Sequence, residues 1–292
     1  MALSPLANRY RTVVQPLEDV FSDKQYFLAR LRIEIAYLAI LTNRKGLNSL
    51  DIRSKFVHHM INNDDDSSDY SKFCEYDRKT QHDVKALEYF IRDTIIDTTS
   101  PNAKEICNLI HCGLTSQDIN SLAFTWMLGK SIEFLSSEWY KFTSCLTNFL
   151  DKVNTIGMGY THGQPAIPVN IAEEYRKHFN KIAATFTKIQ NAKFNLTAKF
   201  ASSTGNYSTL LVVFGSILEI QKIQKELLEM LGLGVKFTQH PRQIDDYTSY
   251  VDILQLIQQL SLNLKEFALN VWLRITRGEF VQIQKEGEIG SS

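Results

Sequence analysis

Three apolar seams, stepping alternately by four and three residues, constrain this chain more than any other feature. The first runs through Leu128, Ile132, Leu135, Trp139, Phe142, Leu146, Phe149 and Val153, and the second through Tyr175, Phe179, Ile182, Phe186 and Ile189. The third runs through Tyr250, Leu254, Ile257, Ser261, Leu264, Ala268, Val271 and Ile275. A mean repeat of about 3.5 residues is a helical period, and seams of this length demand long helices packed at shallow angles. At ~1.5 Å of rise per residue, each helix reaches roughly 40 Å. No strand pattern of comparable length occurs, and neither GxGxxG nor GxxxxGK[ST] is present, so an all-α fold is expected and a nucleotide-binding α/β fold is not. The third seam carries apolar residues on its other faces too: Ile253, Leu256, Leu260, Leu262, Phe267 and Leu269. A helix that apolar is buried on most sides. One chain supplies few helices to cover it, which predicts burial by neighbouring subunits.

Elsewhere, Ser22-Asp23 predicts a helix start, with Phe27, Leu31, Ile35 and Leu38 on one face and Gly46 as the stop. The polar run from Asn62 to Asp69 reads as a surface loop or insertion, and a helix is expected over His82 to Ile95. The 32 basic and 32 acidic side chains cancel. No basic stripe points to nucleic acid, so an anionic ligand must be held by a few placed groups. Met1 to Arg11 lacks an apolar signal core, and the most apolar stretch, Leu210 to Ile220, is broken by Gly215, Ser216 and Glu219. The expectation is therefore no membrane association. Cys74, Cys107, Cys112 and Cys145 form no CxxC pair and read as reduced thiols of a cytoplasmic protein. Cys107, His111 and Cys112 have metal-ligand chemistry, but a helical face with core cysteines is the preferred reading, and no metal is expected.

Five polar or small-residue segments interrupt the pattern, and each has two readings. Arg9-Tyr10 offers a guanidinium fork and a ring to an anionic, planar ligand, or is a solvated tail. Gln81-His82-Asp83 sets a histidine beside a carboxylate at a helix start, or is a simple cap by Thr80 or Asp83 with an exposed histidine. Thr115-Ser116-Gln117-Asp118-Ile119-Asn120 offers donors to a carboxylate, or is a helix N-cap. Thr161-His162-Gly163-Gln164-Pro165 holds a histidine in a rigid turn suited to proton transfer, or one bonded for structure; Pro165 reads as a helix stop. Gly287 to Ser292 reads as a closing active-site loop or a frayed end.

Taken in order, these segments resemble one family, the adenylosuccinate lyases of the fumarase/aspartase superfamily. The resemblance rests on Asn8-Arg9-Tyr10, Thr80 to Tyr89, Thr115 to Asn120, Thr161 to Ala166, Gly205-Asn206-Tyr207, Thr238-Gln239 and Gly287 to Ser292, and spans essentially the whole chain. It implies a fumarase/aspartase-like fold: an N-terminal helical domain over 1–114 and a long-helix bundle over 115–292 that assembles into a tetrameric core. It also implies β-elimination of fumarate from adenylosuccinate and from succinylaminoimidazole carboxamide ribotide, without a cofactor. By the same resemblance, His162 is the general acid and Ser291 the base. Arg9 and Tyr10 hold the nucleotide end, and Gln81, His82 and Asp83 line the site and orient His162. Thr115 and Ser116 bind a succinyl carboxylate, and Gln239 and Ser292 complete substrate binding. The implied partners are a purine nucleotide and three further copies of the chain.

The chain departs from the family in places. Gln81 stands where relatives often have Asn. His240 to Asp245 departs from the expected form and carries no assigned role. The family's mobile loop continues past Ser-Ser into Met-Pro-x-Lys-x-Asn and a C-terminal helical domain, both lacking here, so this stretch alone is expected to be inactive. The rivals are argininosuccinate lyase, aspartase, or a non-catalytic helical scaffold.

Overall fold

The computed structural model describes residues 6, 8–47, 52, 54, 67–96, 101–283 and 286–287. In chain order the helices begin with α1 (Arg11–Phe21), α2 (Asp23–Arg44), α3 (Ser67–Thr80), α4 (Asp83–Phe90), α5 (Ala103–Leu109) and α6 (Ser116–Lys152). A hairpin of β1 (Ile156–Thr161) and β2 (Gln164–Asn170) leads into α7 (Ile171–Ala192). Then come β3 (Thr197–Ala198), α8 (Ser208–Phe214), α9 (Ile217–Leu231), β4 (Lys236–Phe237) and α10 (Thr248–Thr276). The fold is all-α, with two small strand pairs among the described residues, β1–β2 antiparallel and β3–β4 parallel. Among the described residues, no helix is long and apolar enough to cross a membrane.

The chain divides into two compact units: Met1–Glu133 with Lys193–Tyr250, and Phe134–Ala192 with Val251–Ser292. Helix α2 is the axis of the first unit. Ser22 caps it by accepting from the Gln25 N–H at 3.3 Å, and it ends at Arg44, two residues before Gly46. Every residue from Phe27 to Thr42 is buried. The seam Phe27, Leu31, Ile35 and Leu38 marks only one of its covered faces, because α1, α4, α5 and α9 all pack on α2. Cys107 and Cys112 lie half-buried against this core. The expected helix over His82 to Ile95 is α4 plus a π-turn over Ile91–Ile95. The expected loop from Asn62 to Asp69 lies partly outside the described residues, but Ser67 to Asp69 already belong to α3.

The second unit packs the later part of α6 with α7 and α10. Trp139 of α6 stacks on Phe179 and Phe186 of α7, with ring centroids 6.1 and 4.4 Å apart. Phe149, Tyr175, Phe267 and Phe280 meet edge to face or stacked at 5.2–6.1 Å. The first two seams face inward as expected. The third is divided, with Tyr250 buried and Leu254 exposed: in α10 the buried residues are Tyr250, Ile253, Leu260, Asn263 and Arg274, while Leu254, Leu262, Leu269 and Trp272 are exposed. A helix apolar on several faces has only one of them covered within one chain.

Candidate active site

His162 sits at the tip of the β1–β2 hairpin, in the second unit. Thr161 pairs with Gln164, leaving His162 and Gly163 as a two-residue turn with φ of 51° and 76°. Positive φ at both central positions is the type I′ turn, whose twist matches that of paired strands. Pro165 is therefore not a helix stop. It lies in β2 opposite Tyr160, a position open to proline because a two-stranded sheet has only edges. The turn leaves His162 exposed. The hairpin is clamped from just beyond α10: the Arg277 guanidinium lies 3.8 Å from the Tyr160 ring centroid. The Tyr160 hydroxyl donates to Glu279, which raises its pKa. Glu279 in turn is held, with Glu174, by the buried Arg274.

Gln81, His82 and Asp83 stand together between α3 and α4. Neither Thr80 nor Asp83 is the cap of α4; His82 is. Its Nδ1 accepts the Lys85 N–H at 3.1 Å. An accepting Nδ1 leaves the ring proton on Nε2, so the cap selects the tautomer. His82 Nδ1 lies 4.0 Å from Asp83 Oδ1, too far for a hydrogen bond, so the carboxylate does not hold the ring directly. Asp83 is instead gripped by Arg30, a buried α2 side chain whose guanidinium lies 4.0 Å from the Tyr26 ring centroid. Burial of Tyr26 pushes its hydroxyl up to about 12. Asp77, Gln81, His82 and Asp83 line one pocket.

Thr115 and Ser116 open α6. The Asp118 carboxylate reaches back to the Thr115 N–H at 2.9 Å, while the Thr115 carbonyl accepts the Asp118 N–H at 2.9 Å. This satisfies the cap reading, and it brings in residues no sequence signal had picked out. Asp118 also accepts from Lys199 Nζ at 2.6 Å, the Ala201 N–H at 2.8 Å and the Ser202 N–H at 3.2 Å. Both side chains of the Asp118–Lys199 pair are fully buried. Removing one partner from such a pair costs roughly 3–5 kcal/mol, because it strands the other charge. The preceding residues are pinned too: the Gly113 carbonyl accepts from Ser202 and Thr209 hydroxyls, and the Cys112 carbonyl from the Tyr37 hydroxyl at 2.7 Å.

His111 is paired with Glu34 of α2, Nδ1 to Oε1 2.5 Å. Burial lowers its pKa, but Glu34, helped by Glu88 and Asp118, outweighs burial, and the net shift is upward. A raised pKa adds stability that is complete below the unfolded value of about 6.5 and is lost as pH rises through the folded value. Urea denaturation across pH should show stability falling above about 6.5 in the wild type. In His111→Gln that fall should flatten, and an unchanged pH dependence would remove His111 as its source.

Gln239 is exposed in the turn after β4, where Thr238 donates through its N–H and hydroxyl to the Ala198 carbonyl at 2.9 and 3.3 Å. The unassigned segment after it is docked onto the start of α6. Ser121 donates to the buried Asp245, and the Tyr247 hydroxyl to Gln117 at 3.0 Å. Gly205 has φ +77°, and a Cβ there would lie 2.4 Å from the Pro241 carbonyl oxygen. Arg9 and Tyr10 are exposed just before α1, the guanidinium 5.7 Å from the ring centroid. Among the described contacts, none ties them to the other candidates. Ser291 and Ser292 lie outside the described residues.

Comparison with known proteins adds sequence relatives and a structural one. Adenylosuccinate lyase of Haemophilus influenzae is 28% identical over 297 residues, covering 100% of this chain and 63% of that protein. The enzyme of that name from Dictyostelium discoideum is 28% identical over 298 residues, with the same coverage. One from Buchnera aphidicola is 29% identical over 302 residues, covering 62% of its length. The chain thus spans about 63% of the length of the curated relatives it matches. The crystal structure of 3-carboxy-cis,cis-muconate lactonizing enzyme from Pseudomonas putida superposes with a TM-score of 0.70 at 17% identity, covering 89% of this chain and 56% of that one. That likeness concerns the fold. The profile of the family described as Lyase matches residues 9–292, nearly the whole chain, and the chain belongs to that family.

Proposed function

We propose that the protein is an adenylosuccinate lyase, eliminating fumarate from adenylosuccinate to leave AMP, and from succinylaminoimidazole carboxamide ribotide likewise. The observation that carries this reading is the alignment of adenylosuccinate lyases with the chain from end to end. In the reaction, Ser291 in its deprotonated form takes a proton from the succinyl carbon beside a carboxylate. The electron pair left behind forms the double bond of fumarate as the C–N bond breaks. His162 protonates the departing nitrogen. A histidine titrates near neutrality, which suits an acid that must reload each turnover.

The carbanion develops beside a carboxylate that is already charged, so its stabilisation must come from donors placed beforehand. Thr115 and Ser116 take that carboxylate, on a turn immobilised by Asp118 and the bonds around residues 111–113. His82 faces its pocket as a fixed Nε2–H donor with Gln81 and Asp83. Arg9 and Tyr10 hold the nucleotide end, and Gln239 and Ser292 complete binding. The exposed Leu254, Leu262, Leu269 and Trp272 of α10 support assembly into a homotetramer with shared sites. We place the protein in the cytoplasm, working without a cofactor.

Ultraviolet absorbance of the purified full-length protein mixed with adenylosuccinate tests the reading, and the expected change is conversion to AMP. Turnover of argininosuccinate or aspartate in its place would transfer the chain to another fumarate-releasing lyase. Turnover of none of the three would leave a helical scaffold.

A further inference from the structure

We infer that Lys199 is a positioning residue for substrate: it neutralises Asp118 directly beneath Thr115 and Ser116, so that the turn accepts a substrate carboxylate instead of repelling it. This rests on the proposed lyase reading, which puts a succinyl carboxylate on those two hydroxyl residues.

Asp118 is three residues after Thr115, and its carboxylate touches the Thr115 backbone at 2.9 Å. A carboxylate bound at Thr115 and Ser116 would therefore sit close to a second carboxylate, in a region where burial leaves little water to screen the repulsion. Capping does not require this arrangement, since Ser or Thr hydroxyls cap helices without charge. The charge is tolerated because Lys199 Nζ lies 2.6 Å from it, with both side chains wholly buried. Lys199 also donates to the Ser202 carbonyl at 2.7 Å. The Ser202 and Ala201 N–H groups return to Asp118, so one ammonium ties the 199–202 segment to the first turn of α6. The ammonium reaches Asp118 and Ser202 from within the core, so it acts through Asp118 and the turn and does not itself touch substrate.

A charge role and a purely mechanical role make different predictions for two variants. Lys199→Gln keeps a donor for Asp118 but removes the positive charge. Lys199→Gln/Asp118→Asn removes both charges and offers an amide–amide pair in their place. Inhibition constants for fumarate and for AMP are measured with each variant against adenylosuccinate turnover, with melting temperatures recorded alongside. The single variant should bind fumarate about tenfold or more weakly while its AMP constant stays within about twofold. The double variant should return fumarate binding to within about threefold of the wild type. A single variant that does not fold, beside a double variant that folds and binds fumarate normally, supports the same conclusion. Parallel weakening of fumarate and AMP, normal fumarate binding by the single variant, or a folded double variant that still binds fumarate tenfold worse overturns it. A full-length wild-type protein that does not cleave adenylosuccinate sinks the lyase reading instead, before either variant is made.

Discussion

Replacing His162 with alanine should lower kcat for adenylosuccinate by about 10²–10⁴-fold, the range lost with a positioned proton donor. In the proposed reaction the proton goes to a nitrogen leaving with its bonding electrons, and water is a poor acid for that task at neutral pH. The hairpin geometry makes the substitution clean. His162 is exposed at the tip of a two-residue turn, so its removal leaves no cavity. Its φ of 51° is costlier for alanine, but that strain falls on stability and not on the chemical step. Substrate affinity should change far less than kcat. A variant with normal kcat would leave His162 as an ornament of the turn and require a different acid.

Gly205→Ala should destabilise the protein by about 3 kcal/mol, and Gly232→Ala by only about 1 kcal/mol. Both glycines adopt left-handed backbone, with φ of +77° and +64°. They differ in space. A Cβ on Gly232 meets nothing within 4 Å, whereas one on Gly205 lies 2.4 Å from the Pro241 carbonyl oxygen and 2.8 Å from the Arg242 carbonyl carbon. Both obstacles are main chain, which cannot rotate away. Relief requires lifting the 241–245 segment, which is held to α6 by Asp245 and to Gly205 by this close approach. Denaturation midpoints of the two variants, compared with the wild type, give the difference directly. Equal losses would mean that the segment yields at no cost.

The long helices were legible because a seam such as Leu128 to Val153 repeats one period over many turns, and only a helix satisfies that. The cap at Ser22 was legible for a local reason, a hydroxyl placed three residues before a free N–H. The hairpin was not. Its strands hold Gly157, Gly159, Pro165 and Pro168, which read as loop, and its turn uses His-Gly where Asn-Gly is the familiar signal. Which face of α10 the chain itself covers was not legible, because Leu254 and Ile253 are equally apolar and periodicity does not distinguish them. Of the candidate groups, Gln81 to Asp83 and Thr115-Ser116 could be seen as breaks in pattern. Lys199 could not, because a lysine between Ala198 and Phe200 looks like any surface charge until the fold brings Asp118 to it.

Helix α2 carries a consequence of a different kind. Arg30 grips Asp83 beside His82, and Glu34 grips His111 four residues before Thr115. The two attachments are four residues apart on one rod, about 6 Å along its axis. That rod is packed on every side. It therefore works as a gauge block, setting two loops of the proposed site from a single ruler. Such a ruler is hard to improve piecemeal. A substitution that slides or tilts α2 shifts both loops in step, so changes deep in the core should register as altered substrate affinity without any contact to substrate being lost.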